Sequence, residues 1–266
     1  MSPAARRAQR RFFPMFEVSL DLALMLIGAA FAAGFVDSIA GGGGLITLPV
    51  LLLAGATPLQ ALSTNKVQGV FGAATAALAY ARAGHVRLSH QLRPAVLAFI
   101  AGLVGAGLVS VIPTGGLRIA LPVVLIAIAG FFALKKGLDD TDRAERIRPA
   151  TFTAVVVPLI GFYDGLIGPG AGAFYMIGFV TLAGYGVLKA TAHTKLLNFA
   201  SNLGGLIAFA AAGAPWWAMG LAMGLAQAAG ARLGARLAMR VGAKVIKPLL
   251  VTTSTLLALR LIWQML

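Results

Sequence analysis

Apolar runs follow one another from Leu20 to the last residue, with few polar interruptions and no alternation of apolar and polar positions. Continuous runs near the ~20 residues that cross a bilayer predict membrane helices, whereas a barrel strand would alternate. The runs fall at about residues 18–36, 45–54, 59–81, 94–112, 117–134, 152–160, 174–183, 187–212, 216–233 and 246–266. Two of them, 45–54 and 174–183, are too short to cross a core of about 30 Å at a rise of about 1.5 Å per residue. They are expected to be half-spans or arms of re-entrant hairpins. The fold class is therefore an all-α, polytopic helical membrane protein.

A glycine-rich break precedes each short run. The first reads Gly34-Phe35-Val36-Asp37-Ser38-Ile39-Ala40-Gly41-Gly42-Gly43-Gly44. The second begins 127 residues later (161 − 34) and reads Gly161-Phe162-Tyr163-Asp164-Gly165-Leu166-Ile167-Gly168-Pro169-Gly170-Ala171-Gly172. A self-match at half the chain length predicts two homologous halves with broken helices at the glycine motifs. Other landmarks agree at an offset of 129 (195 − 66): Lys66 with Lys195, Gly84 with Gly213, Gly105-Ala106 with Gly234-Ala235, and Arg118 with Lys247. The one strongly charged loop, 135–149, carries Asp139, Asp140, Asp142 and Glu145 among basic residues. The expected organisation is a basic tail at 1–17, a first membrane repeat at 18–136, a connecting loop at 137–150 and a second repeat at 151–266. The tail resembles a signal n-region, and Ala30-Phe31-Ala32 has a cleavage-site pattern. The equivalent apolar lead-in of the second repeat favours a retained first segment.

Charge refines the topology. In the first half the loop after the long segment is basic (Arg82, Arg87, Arg93), and the next has only Arg118. In the second half residues 213–216 carry no charge, and the basic residues come one loop later (Arg232, Arg236, Arg240, Lys244, Lys247). By the positive-inside rule, matching loops lie on opposite sides, which predicts inverted repeats. The N-terminal arginines Arg6, Arg7, Arg10 and Arg11 would then lie outside, against the same rule. The net charge of +14 reads as basic loops at a bilayer surface, not as a nucleic-acid footprint, because no aromatic-basic RNA motif accompanies it. There is no cysteine, and three scattered histidines do not make a metal centre, so no metal or cofactor is expected.

Of eight acidic residues, only Asp37 and Asp164 lie deep in apolar sequence, at matching repeat positions. Lys66 and Lys195 are the matching buried bases. An ionisable group inside a bilayer costs at least about 2.5–3.5 kcal/mol, so such groups line cavities or pair. The structural reading makes them buried pairs or caps of broken helices. The functional reading starts from the glycine breaks, which free backbone N–H groups where a half-helix begins and attract anions there. Gly42, Gly43 and Gly170 at the breaks, with Thr64, Asn65, Lys66, Gln68, His193, Thr194, Lys195 and Asn198, are the candidate substrate-binding residues. Asp37 and Asp164 suit proton coupling. His193 also reads as a helix-packing histidine. Gly168-x-Gly170-x-Gly172 is no nucleotide fingerprint, since no strand precedes it. Gly102, Gly105, Gly230 and Gly234 are expected to let helices pack closely, and Trp216-Trp217 to sit at the interface.

The block from Gly34 to Gly44 with Pro49, then Ala61-Leu62-Ser63-Thr64-Asn65-Lys66, and the second copy with Lys195, resemble the sulfite exporter TauE/SafE family, also called the toluene sulfonate uptake permease family. The resemblance runs from about residue 25 to the end. It implies a bacterial inner-membrane carrier with two homologous halves and about seven to nine membrane segments. It also implies sulfur-containing or organic anions as substrates, such as sulfite and sulfonates. Two departures make the halves unequal: Pro169 stands where the first copy has Gly42, and His193-Thr194 where it has Thr64-Asn65. The expected function is secondary transport of a small anion by alternating access, with proton coupling. The partners expected are that anion, protons and the bilayer. An uncoupled anion channel is the alternative. A membrane enzyme or assembly factor stands further back, because the loops are short and show no catalytic constellation.

Overall fold

The computed structural model describes residues 18–109, 126, 130, 134, 138–212 and 215–263. The basic tail, the 113–116 turn, Arg118, Gly213 and almost all of the 117–134 segment lie outside the described residues. Every regular element among the described residues is a helix.

Helix α1 (Leu20–Ala40) runs straight through Gly34 and Asp37. The break comes later than the glycine pattern suggests, at Gly41, whose φ of 71° stops the helix. Its 21 residues cover about 31 Å, enough for a bilayer core. Helix α2 (Gly43–Leu53) is the expected half-span, at 11 residues or about 16 Å. Helix α3 (Pro58–Arg82) starts from a capping box in which Thr57 and Gln60 satisfy each other's backbone N–H groups, with Pro58 in the first turn where its missing N–H costs nothing. A short 3-10 turn, Leu88–Gln91, leads into α4 (Leu92–Gly107).

The second half repeats the plan. Helix α5 (Pro149–Leu166) includes a π turn at Phe152–Val156. Gly168 and Gly170, at φ of 90° and 85°, make the second break. The half-span α6 (Ala171–Thr181) again has 11 residues. Helices α7 (Val187–Ala211), α8 (Trp217–Val241) and α9 (Ala243–Trp263) follow.

Helix α8 extends eight residues beyond the expected end at 233, and this moves the basic residues of that region. Arg232, Arg236 and Arg240 are not in a loop; they form one exposed stripe on the last turns of α8. The reason is their spacing of four, which puts Gly234, Ala235 and Ala238 on the opposite, buried face.

Among the described residues, three helical units can cross a membrane by length and composition: α1, the stretch Leu88–Gly107 ending in α4, and α5. Helices α3, α7 and α8 are longer still; the hydropathy of α3 and α7 is lowered by polar residues that face inward, and that of α8 chiefly by its exposed arginines. Buried Ser63, Thr64, Asn65, Lys66 and Gln68 on α3, and Thr191, Thr194, Lys195, Asn198, Ser201 and Asn202 on α7, are the clearest inward-facing cases. Leu24, Val96, Leu159 and Leu225 stand on the outer face of the flanking helices, as a lipid-facing surface requires.

The two repeats are interlaced. Helix α8 packs against α1 and α3 of the first half, and α4 packs against α5 and α7 of the second. A Cβ on Gly105 would stand 2.2 Å from the Phe162 carbonyl oxygen, and one on the matching Gly234 would stand 2.3 Å from the Phe35 carbonyl oxygen. Gly102 and Gly230 make equally close approaches, so all four glycines pack helices backbone to backbone as expected.

The acidic connecting loop is docked onto the helix ends. The Asp140 carboxylate accepts the N–H groups of Leu188 and Ala243, and Asp142 accepts that of Gly186 and an ion pair from Lys189 at 2.5 Å. The loop acids thus cap the starts of α7 and α9.

Candidate functional site

The two broken helices meet at the centre. Helix α1 ends and α2 begins at Gly41–Gly43; α5 ends and α6 begins at Ile167–Ala171. The backbones of the two breaks touch, since a Cβ on Gly172 would lie 2.8 Å from Gly41 Cα. Beside this contact lies a cavity of about 30 Å³. Its walls include Gly42, Gly43 and Gly44 from one break, Gly168, Gly170 and Gly172 from the other, and Asp37, Asn65, Asp164, Asn198, Asn202 and Gln227. About two waters would fill it, so in this conformation it does not admit an organic sulfonate.

Two lysines cross between the halves to the aspartates that line it. Lys66 on α3 donates to the Asp164 carboxylate at 2.7 Å and to the Asp164 carbonyl at 2.5 Å. Lys195 on α7 donates to the Asp37 carbonyl. All four residues are buried, with Lys66 and Lys195 at 1% and 0% exposure. Each aspartate lies in the last turn of its helix, where the helix dipole favours a cation; the Asp37 carbonyl also accepts the Gly41 N–H at 2.9 Å. The lysine of each repeat therefore closes the helix end of the other.

The carboxylates differ, and Pro169 explains why. Asp37 folds over its own break: its Oδ1 accepts the N–H groups of Gly42 at 2.9 Å and Gly43 at 3.1 Å. The residue matching Gly42 in the second break is Pro169, which has no N–H to give. Asp164 accordingly turns elsewhere. Its Oδ1 takes Lys66, and its Oδ2 accepts from Ser201 Oγ and from Asn202 Nδ2 at 3.2 Å. At the offset of 129, Ser201 and Asn202 correspond to Gly72 and Ala73, so the first half has no such donors. One carboxylate caps a helix; the other belongs to a side-chain network.

Donors also face the cavity. The N–H groups of Gly44 and Gly172, in the first turns of α2 and α6, take no acceptor among the described residues. Gln227 lines the cavity with its Oε1 unpartnered.

Of the residues expected from sequence, Gly42, Gly43, Asn65, Gly170, Asn198, Asp37 and Asp164 line the cavity. Lys66 and Lys195 stand behind the aspartates. Gln68 supports Asn65, donating to its Oδ1 at 3.0 Å, as Thr47 does at 2.7 Å. Thr64, His193 and Thr194 are not brought there. The Thr64 hydroxyl accepts the Trp216 N–H, and Thr194 bonds Ala190 in its own helix. His193 pairs with Gln91 at 2.8 Å among the rings of Phe179 and Tyr185, a packing role. Of the expected pair, Trp217 is well exposed, whereas Trp216 packs against the apolar core around α1, α2 and α8. Sequence reasoning missed Ser201, Asn202 and Gln227. Two signals were available: Asn198 and Asn202 share a helix face at a spacing of four, and Gln227 is the lone amide in an apolar run.

Long apolar helices, two half-helices meeting at a small polar cavity, and buried charges paired across the repeats define a polytopic membrane transporter. Residues 26–261 match the family described as sulfite exporter TauE/SafE. The chain belongs to that family. It is 54% identical over 93% of its length, and 95% of the relative, to the probable membrane transporter protein ORF9 of a Sinorhizobium species. It is 42% identical to the probable membrane transporter protein YfcA of Escherichia coli strain K12, over 95% of the chain and 94% of that protein. A probable membrane transporter protein of Haemophilus influenzae is 36% identical over 93% of the chain and 97% of its own length. No solved structure matches. The chain is thus a multi-pass transporter of the bacterial inner membrane, not an enzyme.

Proposed function

We propose that the protein is a proton-coupled secondary transporter of a small anion, sulfur-containing or organic, such as sulfite or a sulfonate. The observation that carries the reading is the pair of half-helix N-termini opening on one cavity, with the N–H groups of Gly44 and Gly172 unpaired among the described residues. Such ends attract anions through both their donors and the helix dipole. The amides of Asn65 and Asn198 add donors around them. The family description, sulfite exporter, supports the sulfur oxyanion as cargo.

Asp164 is the proton carrier in this reading, and Asp37 the cap. A proton on Asp164 balances an incoming negative charge and loosens Lys66, the tie between the halves. The cavity, too small here for an organic anion, then widens as one half rocks against the other. The halves act as inverted repeats about an axis in the membrane plane.

Proteoliposome flux of sulfite and of small sulfonates tests the proposal. A pH gradient should drive uptake, and Asn198→Ala should lower it about tenfold, the loss of a charge-assisted bond worth about 1.5 kcal/mol. Unchanged flux in Asn198→Ala refutes the site. Anion currents indifferent to a proton gradient identify a channel instead. Reporters fused after residues 87 and 213 test inversion; the same side for both sinks it.

A further inference from the structure

Each broken helix presents its last-turn carbonyls at mid-protein, and in transporters with discontinuous helices such carbonyls coordinate the coupling cation. Here an ammonium already occupies that place at both ends. Lys66 Nζ contacts Asp164 O and Oδ1, and Lys195 Nζ contacts Asp37 O. The Lys66 stem lies in a made slot: a Cβ on Gly205 would come within 3.2 Å of its Cε, and one on Gly168 within 3.2 Å of its Nζ. The groups facing the pair are Ser201 and Asn202 from α7 and, on α6, Tyr175, whose hydroxyl is spent on the Val157 carbonyl.

We propose that the pocket at the end of α5 is a monovalent-cation site filled by a tethered cation, the Lys66 ammonium. The protein therefore needs no dissociable sodium there, and removing the tether opens a site for a primary alkylammonium. The oxygens suit an N–H donor, and the slot suits a short straight alkyl chain. A quaternary ammonium has no N–H to offer and does not fit. This deepens the transport reading, on which only the flux measurement rests.

The experiment uses purified full-length Lys66→Ala. Ammonium, methylammonium and n-propylammonium chlorides are compared with choline chloride at equal concentration. At about ten times its dissociation constant n-propylammonium should raise the melting temperature of the variant by roughly 3 °C or more relative to choline, and leave the wild type unmoved. Ammonium and methylammonium should do less, having no chain to fill the slot. Flux of sulfite by the variant should recover in the same order. Wild-type flux should not change when sodium is replaced by choline.

Equal responses of variant and wild type, or wild-type flux that requires sodium, overturn the proposal. If Lys66→Ala does not fold, Lys195→Ala puts the same question at the end of α1, and an absent response there counts equally against it. Alkylammonium binding without anion flux keeps the cation site and rejects the transport reading. Flux in the wild type with no rescue in the variant does the reverse.

Discussion

The Lys66 ammonium stands 2.7 Å from the Asp164 carboxylate, joining residues 98 positions apart that belong to different repeats. Both side chains are nearly fully buried. Removing one partner leaves the other charged in an apolar surround, which costs about 3–5 kcal/mol. Asp164→Ala is expected to lose stability of that order, whereas Lys66→Met with Asp164→Leu should lose far less than the two single changes together. Melting of the three purified variants decides it; strict additivity would mean that the pair is not coupled.

Asp37 and Asp164 should separate in a proton assay. Asn at position 37 keeps an oxygen for the Gly42 and Gly43 N–H groups, so Asp37→Asn is expected to retain proton-driven flux within about threefold. Asp164→Asn should abolish proton drive and leave exchange of anion for anion. Uptake measured with and without a pH gradient distinguishes the two; equal loss in both variants would contradict the division of roles.

The touching breaks set a steric limit. A methyl group on Gly172 would meet Gly41 Cα at 2.8 Å, and Gly41 belongs to the opposite half. Gly172→Ala is expected to cost about 1–3 kcal/mol, as overpacking does. Gly28, in the middle of α1, has nothing within 4 Å of the place a methyl group would take, and Gly28→Ala should be neutral or stabilising by up to about 1 kcal/mol. Parallel thermal melts make the comparison.

The connecting loop carries a pH dependence. The Gly186 N–H and then Lys189 hold the Asp142 carboxyl below the usual carboxylate range. A depressed acid contributes stability above its unfolded value, near 3.9, and that contribution fades as pH falls through the folded value. Asp142 is half exposed, so the contribution is at most about 1 kcal/mol. Asp142→Asn should therefore melt slightly below the wild type at neutral pH, and the difference should close toward pH 3. A difference that persists unchanged there would exclude the ionic origin.

Much of the architecture was legible because membrane helices write themselves as uninterrupted apolar runs. The half-spans α2 and α6 and both breaks followed from run length and glycine. The ends of helices were less legible. Arginines at a spacing of four on α8 looked like loop charge because hydropathy ignores which face a residue occupies. In the site, Asp37, Asp164, Lys66 and Lys195 stood out as charges in apolar sequence. Their partners did not, since a repeat offset pairs Asp37 with Asp164 and says nothing about a lysine reaching across. Pro169 was visible as a departure, but its consequence, a carboxylate deprived of a backbone donor, needed Ser201 and Asn202 in view. Thr64 and His193 looked polar enough for the cavity, yet their partners are Trp216 and Gln91, away from it.

The interlacing of α4 with α5 and of α8 with α1 bears on how the chain divides. Severed at the acidic loop, the molecule would not yield two self-sufficient pieces. It would yield two subunits of a dimer, each lending its lysine to close the other's unfinished helix. Co-expression of the two fragments, not either one alone, is what this arrangement requires for assembly.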